Sequence, residues 1–200
     1  MMRKLFALVF LLFICKASFA QFIFDIKGKN LSYVKGFEKS AKGKITTLSA
    51  HYINPPDVAQ PVVYRRAEAN VPDLLVYYFP NVQDSTINYI LYEWDEANFA
   101  KDAQAVKQPA AKLEQYISRY KALLAKVSAD FGNPETTGSL DNTSLIETGR
   151  FKRKDIFVKN GIEVEMYIAL SNKQVNNGIV SIMPTHRIRM YVRQTNTDSR

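Results

Sequence analysis

The sequence of 200 residues predicts an α+β fold, in which one antiparallel β-sheet packs against one long amphipathic helix and a short helix lies near the N-terminus. Three observations lead to this class. Apolar residues recur every three or four positions between 109 and 131, which is the spacing of one helix face. Apolar and polar residues alternate over 162–170 and 186–193, as in strands with one buried face. Residues 74–79 are apolar throughout, which indicates a strand buried on both faces.

Four short elements are predicted before that buried strand, and glycine, proline or a helix-capping residue marks their limits. Ser32 is a suitable N-cap for the short helix. Asn54-Pro55-Pro56 ends the predicted strand at 45–52. The predicted elements are a strand at 21–27, a helix at 33–42 and strands at 45–52 and 62–66.

Two adjacent strands form the predicted centre of the sheet. Pro72 and Pro80 bracket the apolar strand 74–79. A turn-rich link at 81–85 leads into an alternating strand at 86–95. Two strands joined by a short polar loop predict a β-hairpin.

The long helix has clear signals at both ends. Pro109 suits the first turn, where N–H groups have no hydrogen-bond partner within the helix and the missing N–H of proline costs nothing. Gly132, followed by Pro134, is a strong stop signal. The apolar stripe must pack on a sheet or another helix. It consists of Leu113, Tyr116, Ile117, Tyr120, Leu124, Val127 and Phe131.

Three strands are predicted after a polar loop that extends to about Thr148. Asn160-Gly161 is a hairpin turn signal that joins a strand beginning near Phe151 to one beginning at Ile162. The third strand alternates from His186 onward. The apolar faces of these strands are expected to cover the helix stripe.

The first 20 residues have the anatomy of a secretory signal peptide. A basic start precedes ten apolar residues, fewer than the ~20 that a membrane-spanning helix needs. Ser18 and Ala20 occupy the −3 and −1 positions of a cut before Gln21. We therefore predict that residues 1–20 are removed and that the protein is periplasmic, envelope-associated or secreted. The mature chain is then expected to contain no transmembrane span.

Other fates of the N-terminus are a cut after Ala17 or a lipid on Cys15, where the bulky Ile14 departs from a lipoprotein signal. Cys15 is the only cysteine, so the mature chain is predicted to contain no disulfide, thiol nucleophile or cysteine metal ligand. There is no internal repeat and no domain-scale linker. We predict one domain at 21–194 and a loose tail at 195–200.

Charge is distributed unevenly along the chain. Removal of the predicted signal peptide lowers the net charge from +8 to +5. Segments 27–44 and 150–200 carry +5 and +6, whereas 68–107 carries −5. Basic surfaces attract anionic partners such as lipid headgroups or lipopolysaccharide, and export argues against nucleic acid. A solvated surface with locally paired charges explains the same distribution.

The stretch 92–96 is the most site-like in the sequence. Glu93 and Asp95 share one face of a strand, with attachment points ~7 Å apart, and carboxyl pairs in glycosidases work at ~5 to 9.5 Å. Trp94 could stack on a sugar, but it continues the predicted apolar face. The competing interpretation, which we favour, is a solvated strand end for the acids and a core position for the indole.

A row of arginines on the last strand is a second candidate site. Arg187, Arg189 and Arg193 could bind a carboxylate or a phosphate through bidentate hydrogen bonds. Glu163 and Glu165 lie on the neighbouring predicted strand and could neutralise the row instead. We expect this cross-strand pairing, with tyrosines sharing the same outer face.

The sequence contains no Gly-x-Ser-x-Gly elbow, Walker-type phosphate loop, Gly-x-Gly-x-x-Gly, His-Glu-x-x-His or calcium loop. A Ser-His-Asp site with members scattered along the chain stays open and would depend on His51 or His186. His51 and His186 lack partners at metal-ligand spacing, so we predict no metal and no cofactor, and a structural role for His186. The leading hypothesis is therefore a non-enzymatic exported module that binds an envelope protein, a glycan or an anionic lipid. The alternatives are a secreted hydrolase that uses Glu93 and Asp95, and a protein that binds anionic surfaces.

Overall fold

The structure, a computed structural model, describes residues 22–47, 52–100 and 106–195. Its two α-helices are α1 (Leu31–Ser40) and α2 (Ala110–Phe131). Short 3-10 turns lie at Glu96–Asn98 and Thr143–Ile146. The strands are β1 (Lys44–Thr46), β2 (Val62–Arg66), β3 (Leu74–Pro80), β4 (Ile87–Asp95), β5 (Glu135–Gly138), β6 (Phe151–Lys159), β7 (Ile162–Ser171), β8 (Val175–Asn176), β9 (Ser181–Ile182) and β10 (Thr185–Gln194).

Eight of the strands form one antiparallel sheet, in the order β1-β2-β3-β4-β10-β7-β6-β5. The predicted α+β class is therefore confirmed. β8 and β9 form a separate hairpin. The predicted pairings of β3 with β4 and of β6 with β7 are present. The strand β10 joins these two groups, because it pairs with β4 on one side and with β7 on the other.

The helix α2 lies across one face of the sheet, as its apolar stripe predicts. Pro109 is its N-cap and Gly132 its C-cap. The buried side chains match the predicted stripe except that Leu123 is buried, while Leu124 and Phe131 are only partly buried. Its fully or nearly buried residues are Leu113, Tyr116, Ile117, Tyr120, Leu123 and Val127.

The opposite face of the sheet, here called the outer face, is covered over only half its width. Tyr52 and Val58 pack on the outer side chains of β2, β3 and β4. Every residue of β3 is consequently buried, as its uninterrupted apolar run predicts. The outer sides of β10, β7 and β6 are half-buried or exposed.

Three predictions for the N-terminal part of the chain need correction. The described residues of the predicted strand 21–27 form no strand, and the backbone of Ile23 bonds instead to the Tyr92 hydroxyl. The short helix begins two residues earlier than predicted because Asn30, not Ser32, caps it, its Oδ1 accepting from the Tyr33 N–H at 3.1 Å. The strand expected at 45–52 is limited to β1 among the described residues, and positions 48–51 lie outside them.

The segment predicted as a polar loop up to Thr148 contains β5 and a 3-10 turn. The four residues of β5 are all exposed, so no apolar alternation marks them in the sequence. The strand forms because its backbone pairs with the edge of β6. Ala20 and Gln21, where the signal peptide is predicted to be cut, lie outside the described residues, as do Cys15, His51 and the tail from 196.

Candidate functional site

The two predicted site regions come together on the outer face, because β4 and β10 are neighbours. Arg187 lies opposite Asp95, and Arg189 lies opposite Glu93. Both arginines bind these carboxylates through their Nε atoms. The partners are separated by more than 90 positions along the chain, so no local pattern reveals the pairing.

Glu93 is a buried carboxylate surrounded by hydrogen-bond donors. Its side chain is only 3% exposed. It accepts from Arg189, from the Tyr77 hydroxyl at 3.0 Å and from Asn98 Nδ2 at 2.7 Å. Burial and the adjacent carboxylate raise the pKa of Tyr77, so the phenol remains a donor. These hydrogen bonds tie the Glu93 side chain to β3, to β10 and to the turn after β4.

Asp95 has an equally structural set of contacts. Its Oδ1 accepts from the Ala97 N–H at 3.0 Å and caps the 3-10 turn that follows β4. Its Oδ2 accepts from Arg187. The expectation of a solvated strand end for Glu93 and Asp95 is therefore wrong, because both acids are buried and bind arginines of β10. A glycosidase needs one carboxyl group that is protonated. Glu93 and Asp95, in contrast, each accept a hydrogen bond from a charged arginine.

Arg193 pairs with the acids of β7 as predicted. Its Nη1 lies 3.3 Å from Glu163 and 3.4 Å from Glu165. Lys154 on β6 adds a contact of 3.7 Å to Glu165. The predicted cross-strand pairing thus holds for Arg193 alone, since the other two arginines turn to β4. All three predicted binding arginines are internally neutralised.

Trp94 lies on the helix side of the sheet and has no exposed surface. The guanidinium of Arg119, from α2, lies over its ring at 5.1 Å from the centroid. The indole is therefore part of the core, where a sugar could not reach it. This position agrees with the alternation of β4 noted in the sequence.

His186 is fully buried in a polar cluster at one end of the sheet. Asn172 donates to the Gln108 carbonyl and accepts from its N–H, both at 3.0 Å, which fixes the orientation of the amide. Asn172 Oδ1 is therefore an acceptor for His186 Nε2, also at 3.0 Å. Burial lowers the pKa of His186 to about 4, so the ring is neutral with its proton on Nε2.

The other ring nitrogen of His186 faces Glu96. Nδ1 lies 3.3 Å from Glu96 Oε2, and neither atom has a hydrogen-bond partner among the described residues. Two acceptors at this distance need a shared proton. Burial raises the pKa of Glu96. The ring itself is fully buried, in line with a structural role.

Glu96 also lines a cleft of about 590 Å³ beside the start of α2. The charges of this cleft are mixed and largely satisfied. Arg65 and Asp73 form an ion pair at 2.6 Å, and Lys112 donates to the Asn70 carbonyl at 2.9 Å. No single charge sign is left to select a ligand.

A second cleft, of about 660 Å³, lies where β6, β7 and β10 meet the β8–β9 hairpin. Its three charged lining residues, Arg150, Lys152 and Lys173, are all cations and all exposed. None of them has an ion-pair partner among residues 22–47, 52–100 and 106–195. We call this site the cationic cleft. It is lined by Thr148, Gly149, Arg150, Phe151, Lys152, Ala169, Leu170, Ser171, Lys173, Ile182, Met183 and Thr185.

Sequence reasoning did not single out the three cations of this cleft. Their signal is the basic excess of segment 150–200. That excess includes the three paired arginines of β10, which are more conspicuous in the sequence because they alternate along one strand. Only the contacts in the structure separate cations that have an acidic partner from those that have none.

Within the described part of the chain, no helix is both long and apolar enough to cross a membrane. The same residues contain no group of three or more histidine, cysteine, aspartate or glutamate side chains placed to hold a metal ion. Comparisons with protein-family models, curated proteins and solved structures find no match to this chain.

Proposed function

We propose that this chain is an exported, non-enzymatic binding module that holds an anionic group in the cationic cleft. The observation that carries the proposal is the contrast in charge pairing. Arg187, Arg189 and Arg193 have acidic partners, whereas Arg150, Lys152 and Lys173 line a concave surface without one. An accumulation of one charge sign in a cleft attracts the opposite charge from solution.

The size and chemistry of the cleft indicate the class of ligand. Its volume of about 660 Å³ lies in the range of small-molecule sites. Lysine binds phosphate as a point charge, and arginine binds phosphate or carboxylate through a fork of N–H groups. Ser171 and Thr185 add hydroxyl groups to the lining. A ligand that carries phosphate or carboxylate groups fits this surface best, as in an anionic lipid or an acidic glycan of the cell envelope.

Calorimetric titration with pyrophosphate at low ionic strength tests the cleft. The variant Arg150→Gln/Lys152→Gln/Lys173→Gln removes its three charges. We expect this variant to bind pyrophosphate at least tenfold more weakly than the wild type, which corresponds to about 1.4 kcal/mol. Wild-type binding should also weaken as salt is added, because exposed charges are screened.

The matched control is Lys35→Gln/Lys39→Gln/Lys121→Gln. It removes the same net charge from exposed lysines of α1 and α2, which pack on the other face of the sheet. We expect it to bind pyrophosphate like the wild type. Equal weakening in both triple variants would show that net charge, not the cleft, attracts the anion.

A further inference from the structure

The β8–β9 hairpin beside the cationic cleft carries an exposed apolar tip. Ile179 is 93% exposed and Val180 is 49% exposed. The tip is an ordered turn, in which the Asn177 side chain accepts from the Val180 N–H at 2.7 Å and from the Ile179 N–H at 3.1 Å. Two adjacent apolar side chains are therefore displayed to solvent by a defined structure.

The hairpin and the cleft are parts of one surface. Lys173 lies just before β8, and Ile182 and Met183, at the end of β9, line the cleft. Val180 is two residues from Ile182, and a strand rises about 3.3 Å per residue, so the tip lies within about 10 Å of the cleft. Apolar side chains next to unpaired cations are typical of proteins that bind an anionic membrane surface, where the apolar groups enter the interface by about 5–10 Å.

We propose that the anion in the cationic cleft is a phospholipid headgroup, and that Ile179 and Val180 insert into the membrane interface beside it. This inference rests on the proposed function and names its ligand. Neither contact is sufficient alone, since stable attachment to a membrane takes two signals. Each lysine or arginine near an anionic surface strengthens binding about fivefold, and the strengthening declines within a Debye length.

The test measures sedimentation with vesicles of phosphatidylglycerol and phosphatidylethanolamine, and with vesicles of phosphatidylcholine alone. We expect wild-type protein to bind the anionic vesicles and not the neutral ones. Ile179→Asn/Val180→Asn should lower vesicle binding at least tenfold and leave pyrophosphate binding unchanged. The triple variant of the cleft should lose both.

The matched control is Ile53→Asn/Val82→Asn. Both residues have exposed apolar side chains, with relative exposures of 104% for Ile53 and 60% for Val82. They lie near Pro80, where β3 ends. Binding to vesicles should be unchanged in this control. Circular dichroism should show that both double variants keep the fold, because none of the four side chains is buried.

A tryptophan at the hairpin tip provides a second measurement. Trp94 is fully buried and gives a constant background. The emission of Ile179→Trp should shift to shorter wavelength with anionic vesicles, as the new indole leaves water. Absence of this shift, or equal vesicle binding by the wild type and Ile179→Asn/Val180→Asn, would overturn the inference. Pyrophosphate binding retained in that case would leave the cationic cleft intact as the proposed site.

Discussion

Buried carboxylates in this protein are held by several donors each, and most of these donors come from other strands or helices. Glu38 on α1 accepts from Arg66 and from the Tyr78 hydroxyl on the sheet. Asp155 on β6 accepts from Tyr120 on α2 at 2.6 Å. Glu93 joins β4 to β10 in the same manner. These groups connect elements that are far apart in sequence, and their role is architectural.

We expect Arg189→Met to lower the free energy of unfolding by about 3–5 kcal/mol, because it leaves the buried Glu93 without its counter-charge. Adding Glu93→Gln should restore part of that loss. Arg193→Met is the matched control, since the Arg193 side chain is 38% exposed and each of its ion pairs is worth less than about 1 kcal/mol. Urea unfolding measures the free energy of unfolding of the two single variants and of the double variant. Equal losses of stability in Arg189→Met and Arg193→Met would contradict the structural role of the Arg189–Glu93 pair.

Local signals were sufficient for some residues and not for others. The burial of Trp94 followed from its place on the same face of the predicted strand as Ile90 and Tyr92. The burial of Glu93 did not, because it depends on a strand about one hundred positions away. A sequence shows which face of a strand a residue occupies, but the partner that covers this face comes from tertiary pairing.

At the scale of elements, the edge strand β5 is held by backbone pairing with β6, because none of its side chains is buried. Gly138 has a φ of +83°, and a Cβ at this position would collide with the Lys152 carbonyl oxygen. The strand can therefore lie against β6 only with glycine at its end. Its sequence, Glu-Thr-Thr-Gly, has no apolar face to bury. This explains why hydrophobic periodicity predicted the long helix and the long strands and missed β5.

We predict that Gly138→Ala displaces β5 and lowers the hydrogen-exchange protection of residues 135–138, while β7 and β10 keep theirs. The left-handed backbone and the collision both act on this edge of the sheet. Gly36→Ala is the matched substitution. Gly36 lies within α1 with open space around it, so alanine should stabilise the protein by up to about 1 kcal/mol. Lost protection throughout the sheet in Gly138→Ala would contradict a local role.

At the scale of the whole molecule, the proposal of export is tested by mass. Produced from residue 1 in a Gram-negative bacterium, the protein recovered from the envelope should have the intact mass of a chain beginning at Gln21. Ala20→Leu should keep the longer mass, because a small residue at this position is required for cleavage. A mass that retains residues 1–20 in the wild type would reject the predicted signal peptide. Cleavage after Ala17, or a lipid on Cys15, would each give its own distinct mass.

The position of β10 at the centre of the sheet makes the completion of the sheet depend on its last strand. A ribosome produces β1 to β4 first and β5 to β7 later, and neither group has its inner partner until β10 emerges. Until then the inner edges of β4 and β7 are open, and open strand edges promote aggregation of incomplete chains. The described sheet is therefore complete only once β10, the last of its strands along the chain, has joined β4 to β7.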